Sequence, residues 1–181
     1  MDILPKGRVY TIEDIYALPD GVRAELVDGK IYYMAMPGRM HQKLLHFFDM
    51  TIANFIDNQN AECEIYPAPF AVFLDKDDTA YFEPDLSVIC DTSKLDEKGC
   101  HGAPDWIIEI VSPGSKSMDY FTKLMKYQAA GVREYWIVNP VKEQIMVYQF
   151  EEGSVKEVET YSFDEDVPVG IYEDFSIRVQ M

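Results

Sequence analysis

Six residues near the middle of the chain, Trp106-Ile107-Ile108-Glu109-Ile110-Val111, restrict its architecture more than any other stretch. An almost unbroken apolar run of strand length has no polar face to give to water, so it belongs in a sheet covered on both sides. Leu86–Cys90 has the same character. Helices must then supply the cover. From Arg39 to about Ile56, Leu44, Leu45, Phe48, Ile52, Phe55 and Ile56 recur at spacings of three and four, which puts one apolar stripe on a helix. A further helix is predicted from about Ser117 to Ala130, with Leu124 and Met125 facing inward and Gly131 closing it.

Smaller signals fill in the order. Thr11 followed by Ile12, Ile15 and Leu18 reads as a short capped helix stopped by Pro19. Arg23–Val27 and Lys30–Met36 flank Asp28-Gly29, a hairpin turn signal. Glu64–Leu74 reads as a strand whose Pro67 and Pro69 suit a bulge or an edge, and Asp75–Asp78 as a loop. Arg133–Val138 and Gln144–Phe150 read as strands, and the last thirty or so residues as further short strands. The expected fold class is α/β (α+β): a mixed sheet flanked by helices.

At 181 residues, without repeat or low-complexity linker, the chain is expected to form a single domain over 1–181. Its hydrophobic share of 48% is too high for a disordered chain. Cys63, Cys90 and Cys100 are odd in number and hold no C-x-x-C pair, so the expectation is reduced thiols and no zinc. The longest apolar run, Ile31–Met36, is far short of a membrane span, and with no basic stretch leading into an apolar one at the start, no signal peptide is expected. A cytoplasmic protein with no membrane partner is expected. Tyr135 and Trp136 fit a core as well as a homodimer interface.

Charge narrows the function. Lys and Arg number 16 against 32 Asp and Glu, a net −16. A field of that sign repels phosphate and argues against a general nucleic-acid coat or a membrane-surface binder. The acidity is uneven, however. Glu143–Asp174 holds ten carboxylates and one lysine, whereas Ser112–Tyr135 holds four cations and two carboxylates.

Phosphate-cradling, dinucleotide, serine-hydrolase and H-E-x-x-H zinc motifs are all missing. What stands out is a pair of carboxylates. Glu109 interrupts a run that is otherwise apolar, and Asp85 follows Pro84 at the mouth of another such run. A buried carboxylate costs several kcal/mol, on the order set by desolvation, unless a cation or donors compensate it. Two hard oxygen ligands, with water and substrate in the other positions, are how Mg²⁺ is bound at phosphoryl-transfer sites. An ordinary buried ion pair would account for the same residues. Lys123 and Lys126 come next, on the following helix, and Lys123 is placed to point over the strand end. A lysine there could orient or deprotonate water, or neutralise charge on a phosphate.

Pro84-Asp85 and Glu109, 24 residues apart, resemble the bipartite signature of the PD-(D/E)XK nuclease superfamily. A longer series of phrases is more specific. It runs through Glu25-Leu26-Val27-Asp28-Gly29-Lys30-Ile31, His41-Gln42, Pro84-Asp85-Leu86-Ser87-Val88 and Gly102-Ala103-Pro104-Asp105. It continues with Glu109-Ile110-Val111-Ser112-Pro113-Gly114-Ser115, Asp119-x-x-x-Lys123, Tyr127 and Gly131–Pro140. In this order it is similar to the Uma-two family of restriction-endonuclease-like proteins, over roughly residues 10 to 180. The resemblance implies a restriction-endonuclease-like mixed sheet and a Mg²⁺- or Mn²⁺-dependent endonuclease with DNA as substrate. It implies Asp85 and Glu109 as metal ligands, Glu25 as a further acid of the site and Lys123 as the catalytic lysine. The superfamily's lysine sits two residues after the acid, where this chain has Val111. The resemblance therefore implies that the helix supplies it, from Lys123 or, failing that, Lys126. His41 is an outer contributor or a phosphate contact in this scheme. A non-catalytic binding member of the fold and a small-substrate phosphodiesterase are the alternatives.

Overall fold

The computed structural model describes residues 7–59, 61–74, 78–112, 114–115 and 117–180. In chain order the elements are α1 (Ile12–Tyr16), β1 (Ala24–Val27), β2 (Lys30–Tyr33), α2 (Arg39–Gln59), β3 (Glu64–Pro67), β4 (Val72–Phe73) and β5 (Leu86–Ile89). They continue with β6 (Leu95–Asp96), β7 (Gly99–His101) and β8 (Trp106–Ile110). A π-helical turn, Met118–Lys123, leads into α3 (Leu124–Ala130). Strands β9 (Glu134–Asn139), β10 (Gln144–Glu151), β11 (Ser154–Ser162), β12 (Val167–Pro168) and β13 (Ser176–Ile177) close the chain.

Six strands form the central sheet in the order β11-β10-β9-β8-β5-β3, parallel between β8 and β9 and antiparallel elsewhere. The two apolar runs thus become the neighbouring strands β5 and β8, and every residue of both is buried. Alternation sends Leu86, Val88, Trp106 and Ile108 to one face, where Leu44, Phe48 and Ile52 of α2 cover them. Phe48 meets Trp136 edge-on at 6.2 Å between ring centroids, and truncating an aromatic so placed costs about 3–5 kcal/mol. The opposite face carries Ile107, Tyr135 and Ile137, packed under Tyr127 of α3 and under Val72 and Phe82.

The β1–β2 hairpin stands apart from this sheet and turns at Asp28-Gly29 with φ of 49° and 69°. That is the conformation the Asp-Gly pair favours. A Cβ on Gly29 would lie 2.4 Å from Val9 Cγ1, so a larger residue would have to displace that side chain as well as adopt the positive φ. Its buried edge joins Tyr81 through the Leu26 and Tyr81 backbone groups at 2.8 Å, docking the hairpin near the strand that leads into β5.

Several expectations need correction. Glu64–Leu74 is two strands in two sheets: β3 edges the main sheet and β4 joins a small β4-β7-β6 sheet. The donorless Pro67 and Pro69 explain why pairing stops between them. Of the predicted acidic loop, 75–77 lie outside the described residues. Met125 is exposed rather than inward-facing, and Tyr127 takes the inward position. Tyr135 and Trp136 are both wholly buried, so they are core and not interface. Cys63 and Cys90 are joined as a disulfide, against the expectation of three reduced thiols. They stand opposite one another at the ends of β3 and β5, where the pairing Glu64 to Ile89 brings them together. Cys100 is free and buried. Among the described residues no helix is long and apolar enough to cross a membrane.

Candidate active site

The register of β5 and β8 brings the carboxylate pair together. Leu86 pairs with Ile108, so the residues one step outward, Asp85 and Glu109, fall opposite each other on the same face. Both are buried. Asp85 uses one oxygen, Oδ2, to accept from the Ile110 backbone N–H at 2.7 Å and from His41 Nε2 at 3.0 Å. That contact fixes the proton on Nε2 of His41, and its Nδ1 is buried without a partner among the described residues. His41 reaches Asp85 because α2 begins at Arg39, directly before it.

A second group closes on Glu109 from the other side. Lys123 Nζ lies 2.7 Å from Glu109 Oε1, 2.9 Å from Glu25 Oε1 and 3.7 Å from Asp119 Oδ1. Tyr127 donates its hydroxyl to the same Glu109 Oε1 at 2.9 Å, and the Glu83 N–H donates to Glu25 Oε1 at 3.1 Å. Three buried carboxylates thus surround one buried ammonium. Burial raises Glu109 well above the usual carboxylate range. Lys123 opposes that shift, while Asp119, Asp85 and Glu25 add to it. Glu25 and Asp119 are raised as well, chiefly by burial. Burial alone would lower Lys123, but Glu109, Glu25 and Asp119 outweigh it and hold the ammonium well above its ordinary value. The cluster as it stands is short of positive charge.

All four sequence-predicted residues, Glu25, Asp85, Glu109 and Lys123, line one cleft of about 270 Å³. Lys126 does not join them; it is on the outside, paired with Asp28 of the hairpin turn. Val111, where the superfamily carries its lysine, is packed in the apolar core beside Tyr127. Asp119 and Tyr127 also belong to the site, although the sequence alone assigns them no role. Their signal is the spacing Asp119, Lys123, Tyr127, four residues apart each time, which aligns all three on one side of a helix.

The donor chemistry suits a hard divalent cation. Among the described residues no hydrogen bond engages Asp85 Oδ1 or Glu109 Oε2, leaving each carboxylate one open oxygen. No three His, Cys, Asp or Glu side chains among the described residues form a closed metal cage. Mg²⁺ does not need one, since it keeps several waters and uses one or two carboxylates.

With this geometry in view, the comparisons with known proteins are specific. The family model Uma2, described as "Putative restriction endonuclease", matches residues 12–180. The chain belongs to the Uma2 family. A crystal structure titled as a putative nuclease belonging to DUF820, from Anabaena variabilis ATCC 29413, superimposes with a TM-score of 0.71. It is 23% identical and the match covers 89% of each chain, so this Uma2 protein shares its restriction-endonuclease-like fold. No curated protein matches the chain. The order of phrases from Glu25 to Pro140 therefore identified the family correctly.

Proposed function

We propose that this Uma2 protein is a metal-dependent endonuclease that hydrolyses phosphodiester bonds of DNA, with Asp85, Glu109, Lys123 and Glu25 as its working residues. The observation that carries the reading is the pairing of Asp85 and Glu109 across β5 and β8, each with an open oxygen, in a cluster deficient in positive charge. Mg²⁺ or Mn²⁺ held by these two carboxylates would supply Lewis-acid polarisation of a phosphoryl oxygen and acidify water. The protein's own side chains do the remainder. Lys123 keeps its proton between Glu25 and Glu109, so it acts as a fixed positive charge and not as a base. It faces charge that develops on the phosphate and orients water for in-line attack on phosphorus, which expels the sugar oxygen on the far side. Glu25 and Tyr127 hold Lys123 and Glu109 in place by the bonds described above. His41 and the Ile110 N–H fix the rotamer of Asp85 so that its open oxygen stays turned to the cleft.

Cleavage of plasmid and oligonucleotide DNA in Mg²⁺ or Mn²⁺, compared with EDTA, tests the reading. The parent should cleave only with metal, and Asp85→Asn and Glu109→Gln should lose cleavage while keeping the parent circular dichroism. Folded variants that cleave as well as the parent would overturn it.

A further inference from the structure

One wall of the cleft differs in chemistry from the carboxylate floor. It is the β1–β2 hairpin, where Tyr32 pairs directly across from Glu25 and so shares the face that carries the Glu25 carboxylate. Tyr32 and its neighbour Tyr33 both line the cleft and are 40% and 58% exposed. Neither side chain makes a hydrogen bond or a ring contact among the described residues. Side chains alternate along β2, so Tyr32 alone turns its ring to the Glu25 face, and an unengaged aromatic beside a reaction centre is a candidate recognition element.

The cations around the cleft are few. Of those that line it, Arg23 is paired with Glu83 at 2.7 Å, and Lys123 is locked among carboxylates. Arg39 and Lys43, exposed on the first turn of α2, make no ion pair among the described residues and could meet one or two phosphates. A protein that tracks duplex backbone relies on a row of basic side chains, commonly about 6–10 phosphate contacts. Among the described residues no such row lines the cleft, and the chain's net charge is −16. Stacking does not depend on net charge, because every base has an apolar π face.

We propose that the cleft takes an unpaired stretch of nucleic-acid strand, with a base stacked on Tyr32 and its phosphodiester directed to Asp85 and Glu109. This rests on the nuclease reading above and narrows its substrate to strands whose bases are exposed, such as single strands, frayed ends or bulges. Ribose and deoxyribose present the same base face, so the test separates them.

The test is fluorescence anisotropy of the intact protein in Ca²⁺, with labelled single-stranded DNA, the matching RNA strand and the blunt DNA duplex. Cleavage of the same three in Mn²⁺ is measured alongside. The single strand should bind ~10-fold or more tightly than the duplex, in the range that one stacked base provides. Tyr32→Ala should weaken strand binding by about the same factor and raise KM with little change in kcat, while Tyr32→Phe keeps the parent affinity. Preference for DNA or RNA strand identifies the sugar and supports the proposal either way. Duplex binding equal to or tighter than strand binding would overturn it, as would Tyr32→Ala binding like the parent. If the duplex is cleaved, dependent on Asp85 but indifferent to Tyr32, the nuclease reading stands and this proposal falls. Tyr32-dependent strand binding with no cleavage in any metal would do the reverse, keeping the strand site and removing the nuclease.

Discussion

Glu134 carries a carboxyl group with no exposed surface at the start of β9, the strand beside β8, and does not line the cleft. Burial pushes it up to about 7, against the pull of hydrogen bonds from Trp136 Nε1 and from the Ile171 and Gly170 N–H groups. Those backbone donors can come so close because Gly170 has no side chain; a Cβ there would sit 2.9 Å from Glu134 Oε2. A carboxyl raised in the folded state binds a proton there that the unfolded chain has already released. Stability is therefore fully present below the unfolded value of 4.5 and is lost as pH rises through about 7, a change on the order of 3 kcal/mol. Denaturant melts between pH 4 and 8 should show this fall in the parent and a smaller one in Glu134→Gln; equal slopes would refute the assignment. His41 calls for a different measurement. Because it touches Asp85 and not the reacting atoms, His41→Ala should weaken Mn²⁺ binding, read by calorimetry, by about 10–100-fold without unfolding the protein. At this scale Glu109 was legible because a charge inside an apolar strand has to be explained. Asp119 was not, because an acid on a helix looks like any solvated residue until the fold buries it.

The elements explain why Lys123 and not Lys126 enters the site. A π-helical turn carries one more residue per hydrogen-bonded ring than an α-helix and re-aims the side chains beyond it, and such turns cluster at functional sites. Sequence patterning predicts one continuous helix from Ser117, since neither propensity nor apolar spacing marks where the hydrogen bonds widen. The strands were more transparent. Nearly unbroken apolar runs gave β5 and β8, and Asp28-Gly29 gave the hairpin. The small β4-β7-β6 sheet was opaque, being built from strands of two or three residues too short to show a period. Cys63–Cys90 was equally hidden: partners 27 residues apart meet only because β3 and β5 pair. Closing a loop of that length stabilises by about 3–4 kcal/mol in the chain-entropy account. Thiol titration of the denatured, unreduced protein should find Cys100 alone, and three thiols after reduction. Three thiols without reductant would contradict the pairing.

For the molecule as a whole, the acidity is compatible with the proposed nuclease chemistry because much of it lies away from the cleft in the chain. The stretch with ten carboxylates begins at β10 and β11, the far edge of the sheet, and runs on into the segment after β11, whereas β5 and β8 carry the cleft. Part of the remaining negative charge is the cluster itself, Glu25, Asp85, Glu109 and Asp119 around Lys123. The fold class followed from two-sided burial of the central runs, and the match to the nuclease fold over 89% of the chain agrees with it. The metal is the part of the account on which the chemistry depends. A crystal soaked in Mn²⁺ and measured for anomalous scattering tests it most directly. The account predicts a peak shared by the Asp85 and Glu109 carboxylates, lost in Glu109→Gln. A fully soaked crystal with no peak between them, or with the ion bound elsewhere, would contradict it.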